Sequence, residues 1–156
     1  PLSIGCCDRE DTYTFRSALG PGIVMIMYDF EADVQKHFST DWLRKMLCDL
    51  QTVRKYFLGD FYPLLSFSLA QDTWSAWQFH RTDLNEGMIL ALRRSESPFS
   101  VMMPTLYGLD DSAEYEFRDL DTGETIRHAG KDLAENGIEL RVAQKPGSRL
   151  LVYRKM

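Results

Sequence analysis

Acidic residues alternate between Asp119 and Glu124, and they form the first group in the sequence that could do chemistry. The oxygens of Asp119, Asp121 and Glu124 could converge on a calcium ion. A calcium-binding EF-hand loop also needs a further acidic position, a glycine at a fixed offset and a distal glutamate, and these are absent. Asp and Gly are also the residues that tight hairpin turns need. We therefore predict a hairpin turn over 119–124 and no metal site.

A cysteine nucleophile with a histidine base is the second candidate. Cys6 or Cys7 could act with His37 or His80, because a thiolate nucleophile needs a base within hydrogen-bond reach. No local signature supports such a pair, and no Cys-x-x-Cys spacing indicates zinc or redox chemistry. We therefore predict packed thiols in a reducing compartment, with no catalytic residue, metal or cofactor in this chain.

Aromatic residues could form a platform on which a sugar ring stacks. Trp74, Trp77 and Phe79 fall on one predicted strand, and Tyr107 follows later in the chain. Because side chains alternate across a strand, Trp77 and Phe79 share one face while Trp74 lies on the other. The spacing therefore favours a buried core over a single exposed platform.

The composition of the chain is that of a folded protein without a face for polyanions. Its 156 residues are 44% hydrophobic and 26% charged, which is typical of one globular domain, with or without an appendage. The net charge is −5 with mixed signs, so nucleic acid is not an expected partner. The longest apolar run, Gly22–Tyr28, is far shorter than the roughly 20 residues of a membrane span. No signal peptide pattern is visible, and we expect a cytoplasmic protein without a membrane partner.

Two apolar segments near the start of the sequence read as strands. Leu2–Cys6 is short, and Ile23–Tyr28 is apolar at nearly every position, which is typical of a strand covered on both faces of a parallel sheet. The sequence opens at Pro1 directly before an apolar segment, so we expect a fragment whose upstream part packs against it. The apolar faces of both segments then lack partners, which predicts self-association.

Helical patterns surround these strands. A short helix is predicted over Tyr13–Leu19. A longer one begins at Ser39 or Thr40, shows the three-and-four spacing of one buried face, and ends at Gly59. Its predicted buried residues are Trp42, Leu43, Met46, Leu47, Leu50, Val53 and Phe57.

After Gly59 the pattern changes to short strands separated by turn residues. The predicted strands are Phe61–Leu69, Thr73–His80, Met88–Arg93, Val101–Tyr107, Ala113–Asp119, Glu124–His128, Ile138–Val142 and Arg149–Arg154. Eight short strands at regular spacing indicate an antiparallel sandwich or barrel. The fold class is therefore predicted as mainly β, with βα elements preceding an antiparallel β-sandwich.

Several spaced motifs cover nearly the whole chain. They are Phe15–Leu19, Gly59–Leu64, Asp72–Phe79, Gly87 before Leu90–Arg94, Leu109–Asp110 before Tyr115–Asp119, and Gly130–Leu133 before Gly137–Leu140. Together they resemble the C-terminal region of glycoside hydrolase family 36, the α-galactosidase and raffinose-handling family.

The resemblance implies an architecture and a role. Enzymes of the family have a large N-terminal β-sandwich, a (β/α)8 barrel and a small C-terminal β-sandwich. Residues 1–58 would be the incomplete C-terminal end of the barrel, and residues 60–156 the C-terminal sandwich. The family's two catalytic aspartates, which retain configuration at the anomeric carbon, are implied upstream of Pro1, and no residue of this chain matches either motif. The chain is therefore expected to cap and stabilise a catalytic barrel and to be inactive alone.

Three charged residues are candidates for a substrate rim under this resemblance. If Leu2–Cys6 and Ile23–Tyr28 are the last two barrel strands, then Asp8, Arg9 and Asp29 fall at the mouth of the barrel, where substrates bind. The alternative is that these charges are solvated or paired with each other.

Partners and rival functions follow from the same resemblance. The expected partners are the rest of the parent enzyme, an α-galactoside bound in that parent, and a second copy of the chain through its barrel-derived surface. One rival is a carbohydrate-binding β-sandwich module. A second is a structural or oligomerisation domain that binds no sugar.

Overall fold

The computed structural model describes residues Cys6–Cys7, 10–20, Val24–Met25 and 39–156. The helices are α1 (Thr12–Ser17), α2 (Thr40–Val53), a 3₁₀ helix (Arg54–Leu58) and α3 (Gly130–Glu135). The strands are β1 (Cys6–Cys7), β2 (Val24–Met25), β3 (Asp60–Pro63), β4 (Trp74–Arg81), β5 (Glu86–Arg93), β6 (Val101–Met102), β7 (Glu114–Asp119), β8 (Thr125–Ala129), β9 (Leu140–Arg141) and β10 (Gly147–Lys155). Among the described helices, none is both long enough and apolar enough to span a membrane.

A six-stranded antiparallel sheet forms the centre of the molecule, in the order β3-β4-β5-β10-β7-β8. Two small sheets accompany it, an antiparallel β6–β9 pair and a parallel β1–β2 pair. The mainly β, antiparallel fold class is confirmed. The parallel pairing expected of the early segments is also found, because Cys6 pairs with Val24 and Cys7 with Met25.

One face of the central sheet packs against the β6–β9 pair and α3. Alternation along β7 places Tyr115 and Phe117 on this face, while Glu114, Glu116 and Arg118 face away, as predicted. Leu133 of α3 is fully buried against these side chains. The remaining buried members of this cluster are Trp74, Ala76, Ile89, Ala91, Leu106, Ile138, Leu140, Val142, Leu151 and Tyr153. This half of the molecule is the two-layer, sandwich-like packing that the strand pattern predicts.

The opposite face of the same sheet is covered by helices. Phe15 and Leu19 pack beside Met46, Val53 and Tyr56. Their partners on the sheet are Met88, Leu90, Leu92, Leu150 and Val152. Strand β5 is buried along nearly its whole length because both of its faces are covered. The proposed division of the chain near Gly59 into 1–58 and 60–156 stays a prediction.

Helix α2 starts where predicted and buries the predicted face, except that Leu47 is exposed. The Ser39 side chain caps it by accepting a hydrogen bond from the Trp42 backbone N–H at 3.3 Å. Met46 and Val53 are buried as expected, but Leu47 is exposed and Asp49 is buried instead. The prediction that Leu47 is buried was wrong. The buried face of α2 is instead turned toward Asp49, whose charged partner is described below.

Three of the predicted strands are clearly shorter in the structure than in the sequence pattern, and one of them, Ile138–Val142, is reduced to β9. Strand β3 ends at Pro63, and Phe67 and Leu69 beyond it are exposed in irregular backbone. The segment predicted over 101–107 is reduced to β6, because Pro104 has no N–H with which to continue a ladder. Helix α3 was not predicted, since it has only six residues and no side chain that caps its start.

A glycine after α3 makes a close approach that can be tested against a matched position. Gly137 has φ +80, and a Cβ there would lie 2.4 Å from the Pro104 carbonyl oxygen. Gly123 has a similar φ of +76 with open space around it. We expect Gly123→Ala to lower the free energy of unfolding by about 1–2 kcal/mol, from backbone strain alone. Gly137→Ala should cost about 1–3 kcal/mol more, from the added steric overlap.

Urea unfolding of the two alanine variants measures both costs. The difference between them isolates the close contact at Pro104, because both glycines share the left-handed backbone conformation. Equal losses at the two positions would contradict the structure around Gly137.

Candidate functional site at the helix–sheet junction

Helix α1 sets the position of the first functional side chain, Arg16. Asp11 caps the helix, accepting a hydrogen bond from the Tyr13 backbone N–H at 2.9 Å. One turn later the helix buries Phe15 and Arg16 against the central sheet. The Phe15 ring meets the Trp42 ring of α2 edge-on, with centroids 6.0 Å apart. The cap and the aromatic contact therefore fix the direction in which Arg16 projects.

Arg16 is 1% exposed and joins three separate elements. Its guanidinium donates to both carboxylate oxygens of Asp121, at 2.5 and 2.7 Å, and to Asp49 Oδ2 of α2 at 3.0 Å. It also donates to the Ser148 hydroxyl of β10 at 3.3 Å. Burial opposes the charge on Arg16, but the two carboxylates outweigh it and raise the pKa of the guanidinium. The arginine therefore stays charged and holds α1, α2 and the sheet together.

Asp49 has a second cation of its own. Lys45, one turn earlier on α2, donates to both Asp49 carboxylate oxygens, at 2.7 and 2.9 Å. The Asp49 carboxylate is almost entirely buried, so its charge must be compensated by partners. Arg16 and Lys45 together supply this compensation. We call the four residues Arg16, Lys45, Asp49 and Asp121 the junction cluster.

The turn that carries Asp121 is the one predicted over 119–124. Asp119 Oδ1 accepts from the Asp121 backbone N–H at 2.7 Å, and the Gly123 N–H donates to the Asp119 carbonyl at 2.9 Å. Asp119 Oδ2 accepts from Arg149 Nε at 2.8 Å. These bonds to Arg149 and to backbone N–H groups outweigh burial and lower the pKa of Asp119. The hairpin turn is confirmed, and its acidic oxygens are bonded to arginine and backbone groups.

A buried polar network lies on the opposite face of the sheet. Gln78 Nε2 donates to the Tyr107 carbonyl and to the Tyr153 hydroxyl, each at 2.8 Å, while Gln78 Oε1 accepts from the Tyr107 N–H at 2.9 Å. His80 Nδ1 lies 3.0 Å from the same Tyr153 hydroxyl. Burial raises the pKa of Tyr153 well above its usual range and lowers the pKa of His80, against an opposing effect of Asp60. Both groups are therefore neutral near pH 7.

This network predicts a specific dependence of stability on pH. Because the pKa of His80 is lowered on folding, the unfolded chain binds the proton more readily. The contribution of neutral His80 is fully present above the unfolded pKa, near 6.5, and is lost as the pH falls through the lowered value. We expect the wild type to lose stability relative to His80→Gln below pH 6.5, by at most about 1.4 kcal/mol per pH unit.

Urea unfolding of both proteins at pH 7.5 and 5.5 checks this expectation. Groups that titrate elsewhere in the chain contribute equally to both proteins, so they cancel in the difference. Parallel pH profiles for the two proteins would contradict the assignment to His80.

The aromatic residues lie where alternation along β4 places them. Trp74 belongs to the cluster under β6, β9 and α3, while Trp77 and Phe79 pack on the helical side. The prediction that these three do not form one exposed platform is confirmed. Tyr107 is partly exposed, and its ring stacks on that of Tyr62 with centroids 5.6 Å apart.

Most of the candidate site residues predicted from the sequence lie outside the described residues. Asp8, Arg9 and Asp29 lie outside the described residues, as does His37, so the substrate-rim prediction stays a prediction. Of the other residues in the proposed cysteine–histidine pair, His80 is buried and bonded to Tyr153. Cys48, the third cysteine, is free and exposed on α2, so the prediction of packed thiols was wrong for this residue.

The junction cluster was missed by sequence reasoning, although one signal for it was present. Asp49 falls three residues after Met46 and four before Val53, on the apolar side of α2. A lone acid on such a face needs a buried cation. Nothing in the spacing identifies that cation as Arg16, which precedes Asp49 by 33 residues and Asp121 by 105.

The comparisons with known proteins give structural relatives only. No protein family profile and no curated protein matches the chain. The GH36 alpha-galactosidase AgaB from Geobacillus stearothermophilus aligns with a TM-score of 0.67 and 21% identity, over 92% of this chain and 19% of its own. A doubly substituted GH36 alpha-galactosidase AgaA from the same organism, in complex with stachyose, aligns with a TM-score of 0.73 and 20% identity, over 98% and 21%.

The chain thus spans about a fifth of the length of each of these alpha-galactosidases. Identity near 20% supports a statement about fold and no more. The resemblance seen in the sequence motifs is confirmed at that level, and the chain has the fold of one portion of the GH36 alpha-galactosidases.

Proposed function

We propose that this chain is the C-terminal, non-catalytic part of a retaining α-galactosidase-like glycoside hydrolase, in which it caps and stabilises the catalytic barrel. The observation that carries the proposal is the junction cluster. Arg16 ties α1, which lies between the two parallel strands in sequence, and α2, which comes after both, to the hairpin turn at Asp121 and to β10. Parallel strands that alternate with helices along the sequence are what the end of a (β/α)8 barrel supplies.

The acidic residues support a non-catalytic role. A retaining glycosidase needs two carboxyl groups about 5 Å apart in a cleft, one of them with a raised pKa. In the described part of the chain, four carboxyl groups have a pKa that departs from the usual value. In each of them arginine, lysine, hydroxyl or backbone partners lower the pKa. The four groups are Asp83, Asp110, Glu116 and Asp119. Such carboxylates are held as anions and do not act as general acids at neutral pH.

The test uses the complete polypeptide encoded by the gene that contains this sequence. We expect it to hydrolyse an aryl α-galactoside with retention and to carry two aspartates on barrel-strand patterns. Asp121→Asn should shorten the half-life of that activity at raised temperature roughly two- to fivefold, with KM unchanged, because it weakens the junction without touching substrate. Asp111→Asn, an exposed acid in a different turn, is the matched control and should leave the half-life unchanged.

Two results would overturn the proposal. One is a complete polypeptide without α-galactosidase activity. The other is an equal half-life for the Asp121 and Asp111 variants. The 156-residue chain should show no turnover of the aryl α-galactoside on its own. Saturable binding of galactose by that chain, without turnover, would instead favour a carbohydrate-binding module.

We also propose that the protein is located in the cytoplasm, because a free cysteine such as Cys48 fits a reducing compartment.

A further inference from the structure

An open groove of about 600 Å³ lies on the helical side of the central sheet. One wall is formed by Gln51 and Thr52 at the end of α2 and by Lys55 of the 3₁₀ helix. The floor carries Glu116 and Arg118 of β7. The volume falls within the range of small-molecule sites, which is about 300–1,000 Å³. The groove is lined mainly by polar and charged groups, so its ligand must be polar.

The floor is crossed by a row of alternating charges on four neighbouring strands. Strand register places Arg154 between Glu86 and Glu116, and Glu116 opposite Arg127. Glu116 accepts from Arg154 at 2.9 Å and from Arg127 at 3.2 Å. Lys55 extends the row from the helical wall by pairing with Glu86. Each carboxylate in the row therefore has at least one cation bonded to it.

Arg118 stands outside this row as an additional cation. It lies two residues further along β7, opposite Val152, on the same face of the sheet as Glu116. Its side chain is exposed, and it has no ion-pair partner among the residues that the structure describes. Three cations, Lys55, Arg118 and Arg154, line the groove with two anions, Glu86 and Glu116. The lining therefore has a formal charge of +1, although the whole chain carries −5.

The donors and acceptors here match a ligand with two kinds of group. A guanidinium without a partner presents a planar set of donors suited to a phosphate or carboxylate oxyanion. The Thr52 hydroxyl donates to the Cys48 carbonyl at 2.8 Å, so its oxygen is left to accept. Glu86 and Glu116 offer further lone pairs to hydroxyl donors. An oxyanion alone would use Arg118 but not these acceptors.

We propose that this groove binds a small phosphorylated sugar, with its phosphate on Arg118 and its hydroxyls toward Thr52 and Glu116. The inference goes beyond the proposed function and does not depend on it. The ligand lies on the part of the β7 and β10 face that the helices leave open. Because the groove is open to solvent, binding weakens as the ionic strength rises.

Calorimetric titration of the 156-residue chain with galactose 6-phosphate, inorganic phosphate and galactose tests the proposal. We expect saturable binding of galactose 6-phosphate, with weaker binding of the other two. Arg118→Gln should weaken binding of the sugar phosphate about tenfold or more, the effect of losing one charge-assisted contact. Arg141→Gln is the matched control, because Arg141 is also exposed but pairs with Glu139 and does not line the groove.

Thermal unfolding of both variants shows whether a loss of binding comes from a loss of folding. Arg118 has no described partner to lose, so Arg118→Gln should unfold at the same temperature as the wild type. Equal affinity of the wild type and Arg118→Gln for the sugar phosphate would overturn the site. Inorganic phosphate or galactose binding as tightly as galactose 6-phosphate would overturn the ligand class. Absence of saturable binding by all three probes would overturn the proposal as a whole.

Discussion

Replacing Phe15 with alanine is expected to lower the free energy of unfolding by about 3–5 kcal/mol. Phe15 has no exposed surface and packs with Leu90, Leu150 and Val53 in the cluster between the helices and the sheet. Truncation removes most of an aromatic ring from this contact and leaves a cavity that the surrounding helices and strands fill only in part. The edge-on contact with Trp42 is lost as well.

Phe67→Ala is the matched control for this experiment, because the same atoms are removed at a position that is 88% exposed. Its free energy of unfolding should stay within about 0.5 kcal/mol of the wild type. Both values come from urea unfolding followed by tryptophan fluorescence, which reports on Trp42 beside Phe15. A Phe15→Ala loss as small as that of Phe67→Ala would mean that α1 does not pack on the sheet in solution.

Arg16→Met should lower the free energy of unfolding by about 3 kcal/mol. Methionine keeps most of the aliphatic volume but leaves Asp49 buried with one cation in place of two. Removal of one member of a buried ion pair typically costs about 3–5 kcal/mol. We expect the lower end of that range because Lys45 still pairs with Asp49, and because Asp121 is 40% exposed and regains water.

The control for Arg16→Met is Arg44→Met on α2. Arg44 pairs with Asp41 at 2.6 Å, but both side chains are largely exposed, so we expect a change of at most about 0.5 kcal/mol. Differential scanning calorimetry of the two variants separates a buried ion pair from an exposed one. An Arg16→Met protein as stable as Arg44→Met would show that the junction cluster contributes no net stability.

Local patterns predicted the parts of the fold that depend on local physics. Alternation along β4 and β7 identified which aromatic side chains lie on each face of the sheet. Ser39 predicted the start of α2, and the Asp and Gly residues of 119–124 predicted a hairpin turn. Each of these signals lies within a few residues of the feature that it determines.

The features that were missed depend on contacts between distant segments. Asp49 is buried on α2 because Arg16, on another helix, supplies a partner for its charge. The second face of the sheet has helices as its cover, and the strand pattern cannot indicate which segment will lie there. Helix α3 is too short for periodicity to detect, and its buried Leu133 is defined only by the sheet beneath it. Long-range pairing of this kind is not encoded in the period of any single element.

The position of β10 in the strand order has a consequence for how the chain is made on the ribosome. This strand is the last of the described strands in sequence, yet it lies between β5 and β7 and pairs with both. Until residues 147–155 have been synthesised, β3-β4-β5 and β7-β8 have no strand to connect them. The edge of β5 that later pairs with β10 then has unpaired backbone N–H and C=O groups, and this apolar strand is an open template for pairing with other chains. The nascent chain is therefore exposed to aggregation until residues 147–155 have been synthesised.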